Sequence, residues 1–158
     1  MGLFLSTFVN KVDKKGRVSI PATFRATLGE GQTEIIVYPS MKEPALDACS
    51  LAHLEKLSEA LETPTMSPEE RELIETVVFG QSVRITMDPE GRISLPDEMA
   101  AYAGITDTVT FHGRRKIFQL WNPVAFQQFQ QTTRELARAN NISLSSVLAK
   151  SNGLAKGE

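Results

Sequence analysis

Thiol chemistry has little to work with in this sequence, whose one cysteine is Cys49. A lone cysteine excludes an intrachain disulfide and fits a reducing cytoplasm. Histidine is nearly as scarce. His53 and His112 are far apart in the chain, and neither has a cysteine or second histidine at metal-ligand spacing. Long apolar runs are missing too, and none approaches the roughly 20 residues a transmembrane helix needs. The apolar stretch Leu3 to Val9 is followed, not preceded, by its positive charge, which is the wrong order for a signal peptide. No phosphate-binding glycine loop and no G-x-S-x-G elbow occurs. These absences predict a non-enzyme without metal, cofactor, small-molecule substrate or membrane anchor. Strong net charge is also lacking. The sum is −2, so the chain as a whole advertises no attraction to nucleic acid.

What the sequence does have is an internal repeat. Asp13-Lys14-Lys15-Gly16-Arg17-Val18-Ser19-Ile20-Pro21 returns as Asp88-Pro89-Glu90-Gly91-Arg92-Ile93-Ser94-Leu95-Pro96. Aspartate, glycine, arginine, serine and proline keep their places at a shift of 75 residues. A repeat of this kind has to be recognised before any fold is assigned. A unit of about 50 residues buries too little surface to be comfortably stable alone. Two copies in one chain are therefore expected to pack together as a pseudo-dimer.

Each copy reads as strand, tight turn, strand, short helix, strand, loop, strand, helix. Aspartate at the turn start can accept backbone N–H groups, and glycine supplies the positive φ that closes it. Val18 and Ile20 share one strand face, Arg17 and Ser19 the other. Pro21 and Pro96 suit the first position of a helix. Ser50 caps a helix with the stripe Leu51, Leu54, Leu57, Leu61, and Ser67-Pro68-Glu69-Glu70 starts another. The second of these is expected to bury Leu73, Ile74, Val77 and Val78. Thr108 to His112 aligns with Thr33 to Val37 at the shift of 75, and beyond the next loop the shift becomes 72. Three extra residues are thus assigned to the first copy's Pro39–Pro44 loop. The last helix, Pro123 to about Ala139, is expected to bury Phe126, Phe129 and Leu136. A short helix from Ile142 to Lys150 and a frayed tail, Ser151 to Glu158, follow.

Charge is segregated along the chain. From Lys11 to Arg25 there are Lys11, Lys14, Lys15, Arg17 and Arg25 against Asp13, a net +4; from Arg84 to Glu98 the net is −2. A two-stranded ribbon with cations at its tip can enter a DNA major groove, arginine reading a guanine edge and lysines neutralising phosphates. Lys11, Lys14, Lys15, Arg17 and Arg25 are therefore the candidate DNA-binding residues. The residues alone leave a second reading open, in which the turn is solvated and Asp13 and Arg17 form a structural ion pair. Its structural members are Asp13 and Gly16, with Asp88, Gly91 and Arg92 in the second copy. Arg114-Arg115-Lys116 is a further basic knot, suited to solubility or to a backbone phosphate.

The duplicated D-x-x-G-R-[VI]-S-[IL]-P pattern, each copy followed by a short helix and strand, resembles the two SpoVT-AbrB-type domains of the MraZ transcriptional regulators. The match runs from Phe8 to about Ala149. It implies an α+β fold of tandem swapped-hairpin AbrB-like β-barrel units, joined as an intrachain pseudo-dimer and flanked by helices. The expected division is 7–54 for the first domain, 55–80 for linking helices, 83–126 for the second domain and 127–158 for the C-terminal helix and tail. The resemblance also implies a cytoplasmic, nucleoid-associated repressor of its own division and cell-wall gene cluster. Its partners would be double-stranded promoter DNA with short direct repeats and further copies of itself in a ring, whose head-to-tail contacts suit direct repeats. Because Pro89 and Glu90 replace the two turn lysines, the first copy is expected to hold DNA and the second to complete the fold. An antitoxin-like protein-interaction module, gripping a basic partner through the acidic helix Pro68 to Phe79, is the alternative. A small hydrolase using Cys49 or His53 is a third reading that no motif supports.

Overall fold

The two strands joined by each Asp-x-x-Gly-Arg turn do not pair with each other; each finds its partner in the other copy. In the computed structural model, which describes residues 2–156, β1 (Thr7–Lys11) lies antiparallel to β7 (Thr108–Arg114). Its equivalent β5 (Val83–Thr86) lies against β3 (Glu34–Pro39). The return strands β2 (Arg17–Ser19) and β6 (Arg92–Ser94) form a separate ribbon. This is the swapped-hairpin pseudo-dimer. With β4 (Leu46–Cys49) and β8 (Ile117–Trp121), the remaining strands form a six-stranded antiparallel sheet, β1-β7-β8-β4-β3-β5. The sheet stays open, so the expected barrel is not closed: its edges are β1 and β5, and the ribbon crosses the core without joining its ladder.

The copies are related by a pseudo-twofold that the pairing makes explicit. Arg17 faces Ser94 and Ser19 faces Arg92, with Val18 and Ile93 at the centre. Likewise Leu46 faces Leu120 and Ala48 faces Phe118, with Asp47 and Gln119 at the centre. The register also corrects where the first copy is longer. Asn10 faces Val109, and Ile85, 75 positions after Asn10, faces Ile35. Ile35 therefore corresponds to Val109, at a shift of 74, and not to Thr110. Cys49 and Trp121, facing Ile36 and Thr110, keep the shift of 72. One extra residue thus lies in the turn after the first short helix and two in the β3–β4 loop. A one-residue slip would turn every side chain of the strand to the other face. Burial settles the point, because Ile35, Val37, Val109 and Phe111 all enter the same core.

The sheet is apolar on both faces. One face closes over helices α1 (Ala22–Leu28) and α4 (Asp97–Ala103) and the β2–β6 ribbon. Pro21 and Pro96 stand one step ahead of the helices, where the Pro21 carbonyl accepts the N–H groups of Phe24 and Arg25. Phe24, fully buried, is the hub: its ring lies 4.9 to 6.4 Å from those of Phe4, Phe8, Phe111 and Phe118. The N-terminal arm is tied down by Phe4, whose N–H and C=O both pair with Arg115 at 2.8 and 3.1 Å. The opposite face takes α2 (Leu51–Ala60) and α3 (Pro68–Val77), capped by Ser50 and Ser67 as the sequence indicates. Leu51, Leu54, Leu57, Ile74, Val77 and Val78 pack there on Ile36, Tyr38 and Cys49. Leu73 does not: it is 62 % exposed, because the helix turns only the Ile74–Val77 edge to the sheet.

The chain divides into two compact units, Met1–Pro123 and Val124–Glu158, so both copies of the turn lie in the first. In the second, α5 (Pro123–Ala139) and α6 (Leu144–Lys156) are joined by a turn in which Asn141 has φ 52°. The rings of Phe126 and Phe129 are 6.3 Å apart. Leu136, expected inside, is 57 % exposed, since burial reaches only the first turns of α5. The tail is helical as far as Lys156, further than expected, and residues 157 and 158 of that segment lie outside the described residues.

Candidate nucleic-acid interface

The two turns have the same internal wiring. Asp13 Oδ1 accepts the backbone N–H groups of Lys15 and Arg17 at 2.9 and 2.8 Å, and Oδ2 accepts Arg17 Nε at 2.9 Å and Nη2 at 2.8 Å. Asp88 repeats this with Glu90, Arg92 and Arg92 Nε at 2.9, 2.9 and 2.7 Å. Gly16 and Gly91 close the turns at φ 79° and 80°, a conformation in which a side chain strains the backbone. The sequence thus chose each residue for a stated job: an acid that gathers N–H groups, a glycine that reverses the chain, and an arginine that locks the acid.

This geometry assigns the arginines first to the turn. Asp13 and Asp88 are held below the ordinary carboxylate range, chiefly by the backbone N–H of Arg17 and Arg92 and then by their guanidinium groups. Arg92 is raised by Asp88 foremost, and Asp13 adds to the effect from across the ribbon. The sign for stability follows. A carboxylate with a depressed native pKa stabilises the fold above its unfolded pKa, and that contribution disappears as pH falls through the native value. We expect the unfolding midpoint to drop between neutral pH and about pH 3, and to drop less in Asp13→Asn/Asp88→Asn. Denaturant titrations at several pH values measure this. An equal pH dependence in the variant would remove the turns from the acid response.

Lys14 and Lys15 stand exposed at the first turn, and Lys11 is exposed at the end of β1. None of the three forms an ion pair among the described residues. Arg17 and Arg92 project from the outer face of the ribbon and line one shallow groove with Arg84. Arg84, which carries no motif of its own, is placed outside by the alternation Val83-Arg84-Ile85-Thr86. Its charge is matched by Glu34 at 2.6 Å.

Arg25 lies where the linear sequence does not put it. Its Nε donates to the Ile20 carbonyl at 3.1 Å, and its side chain lies along the second copy's turn. A Cβ added to Gly91 would lie 2.5 Å from Arg25 Cδ, whereas Gly16 has nothing comparable beside it. The residue equivalent to Arg25 in the second copy is Ala100. Strand exchange therefore takes one cation from the first turn's tally and gives it to the second. The turn containing Asp88, Glu90 and Arg92 is brought to neutrality. Arg114, Arg115 and Lys116 form the β7–β8 turn, which the N-terminal arm fastens through Arg115.

Cys49 offers little to the hydrolase reading. Cys49 is buried in the second core, and burial foremost, with the Asp47 charge behind it, pushes its thiol up to about 12. Such a thiol stays protonated at neutral pH and is a poor nucleophile. Among the described residues no group of three His, Cys, Asp or Glu side chains is placed to hold a metal ion. No helix of the described residues is long and apolar enough to cross a membrane.

Interleaved hairpins, each started by an Asp-clamped, Gly-closed turn, define an AbrB-like α+β protein with both halves of the dimer in one chain. Comparison with known proteins narrows the class. Residues 78–143 match the family profile described as "MraZ protein, putative antitoxin-like". The chain is 42 % identical over 146 residues to the transcriptional regulator MraZ of Rickettsia bellii (strain OSU 85-389), covering 91 % of this chain and 97 % of that one. It is 40 % and 39 % identical to the proteins of the same name from Rickettsia rickettsii (strain Sheila Smith) and Rickettsia canadensis (strain McKiel), with the same coverage. The chain belongs to the MraZ family.

Proposed function

We propose that this chain is a DNA-binding transcriptional regulator acting at the bacterial nucleoid in the cytoplasm. Its relatives are named transcriptional regulators. The observation that carries the DNA reading is the first turn, where exposed Lys14 and Lys15, with no ion pair among the described residues, crown a narrow ribbon. Lysines so placed neutralise phosphates while the ribbon sets the docking angle. Arg17 is held to its carboxylate through Nε and Nη2, which leaves Nη1 for an outer contact. We further propose that the first copy dominates binding, that the protein represses its own division and cell-wall gene cluster, and that ring-like homo-oligomers read short direct repeats.

Footprinting of the purified protein on DNA upstream of its own gene tests this reading. Protection at regularly spaced direct repeats is the expected result, and no protection would reopen the partner-protein alternative. That alternative has one feature in its favour, Leu73 exposed among the glutamates of α3. Affinity is expected to fall steeply between low and physiological salt as counterions are released, and a flat dependence would sink the phosphate contacts.

Arg25 extends the same surface to the second turn. Alanine at Gly16 or Gly91 is expected to cost about 1–2 kcal/mol through its positive φ. Only Gly91→Ala also displaces Arg25, so it should weaken DNA binding as Arg25→Ala does. The double variant should bind no worse than Arg25→Ala alone. Additive losses in the double variant would show that Arg25 and Gly91 act separately.

A further inference from the structure

On the sheet face covered by α2 and α3, three polar side chains stand in a row across neighbouring strands. Tyr38 of β3 faces Asp47 of β4, and Asp47 faces Gln119 of β8. Gln119 is 1 % exposed and fully engaged: its Nε2 donates to Asp47 Oδ1 at 2.8 Å, and its Oε1 accepts Trp121 Nε1 at 2.9 Å. The amide is thus fixed in orientation, and one oxygen of Asp47 is turned to a defined direction.

Tyr38 is different. It is 7 % exposed, yet no hydrogen bond to its hydroxyl exists among the described residues. Every fully buried side-chain oxygen or nitrogen among those residues has a partner, so the hydroxyl of Tyr38 opens into the cleft that the residue lines. A buried tyrosine normally finds a partner for its hydroxyl. Burial foremost, with the nearby acidic groups, pushes its pKa well above the ordinary range, so the group stays a neutral hydroxyl. Burial foremost raises Asp47 as well, against the Gln119 hydrogen bond and the Arg114 charge, which lower it, and with Glu43 adding to the rise. The walls above this floor are apolar, from Leu57 of α2 and from Ile74 and Val78 beside it.

We propose that this cleft is a binding site for an organic ammonium or guanidinium group carried on an aliphatic stem. The cation donates to the free oxygen of Asp47 and to the Tyr38 hydroxyl oxygen, while the stem lies against Leu57, Ile74 and Val78. The rim carries Lys42 and Arg114 against Glu43, so it is the Asp47 carboxylate on the floor that balances the lining charge and, with Tyr38, selects the ligand. The same chemistry is offered by a free amine and by a lysine or arginine of another copy of this chain. The site makes no use of the DNA-binding turns, so it stands whether or not DNA is the partner.

Trp121, the chain's one tryptophan, reports on Asp47 through Gln119. Titrating the full chain with n-butylammonium should give a saturable change in tryptophan fluorescence. Asp47→Asn should weaken it at least tenfold and Tyr38→Phe about threefold, and n-butanol should give no comparable response. Saturation that is independent of protein concentration assigns a free amine as the natural ligand. Competition between the amine and self-association assigns a basic side chain of a second copy. Either result supports the site. The absence of a saturable change, an equal response to n-butanol, or affinity unchanged by Asp47→Asn would overturn it.

Discussion

Alanine at both Lys14 and Lys15 is expected to weaken binding to a repeat-containing promoter fragment at least tenfold at physiological salt. The same change should lower the slope of log affinity against log salt by about 2 per bound subunit, about 1 for each lost phosphate contact. The two lysines are exposed, so folding should be untouched. Salt-titrated binding, with the unfolding midpoint as control, separates the two effects. Alanine at Pro89 and Glu90, their counterparts in the second copy, should leave the slope unchanged. The proposed division of labour meets its sharpest test in the arginines. Arg17 and Arg92 clamp their turns in the same way, so Arg17→Ala and Arg92→Ala carry similar structural costs. Equal losses of DNA affinity in the two would mean that both turns dock. Strand exchange gives that outcome a physical route, because Arg25 neutralises the second turn.

The second large effect is on stability. Phe24→Ala is expected to lower the unfolding free energy by about 3–5 kcal/mol, measured by denaturant titration. Phe24 is fully buried, and four other rings surround it. These rings come from the N-terminal arm, both copies of the repeat and the sheet, so one cavity loosens all of them together. A loss below about 1 kcal/mol would mean that the site collapses around the change and that the aromatic cluster does not hold the copies together.

Much of the local structure was legible in the chain. Ser50 and Ser67 cap helices, and Asp13 with Gly16 makes a turn, because each acts on backbone groups within a few residues of itself. The apolar stripe of α2 was readable from its period. The exposed Leu73 and Leu136 were not, since an apolar residue at the right spacing looks the same whether or not something lies above it. The number of extra residues in the first copy is legible in the sequence, but their place is not. An alignment of Thr33 to Val37 at either shift keeps β-branched residues in register, and only the long-range strand pairing, with the shared burial of Ile35 and Val109, chooses between them.

The repeat, the chemistry of its turn, and the family to which those residues point are all readable from the chain alone. These are short-range properties, written in the identity and spacing of neighbours. Which copy each strand serves is set by long-range pairing alone. Backbone pairing between β1 and β7, and between β2 and β6, joins residues that nothing local connects. Through that exchange Arg25 reaches Gly91 instead of its own turn, and Tyr38, Asp47 and Gln119 come into one row from three strands. Charge counted along the chain and charge met in space differ for this reason. The hydrogen-bonded ladder joins the copies crosswise, and the surface follows the ladder.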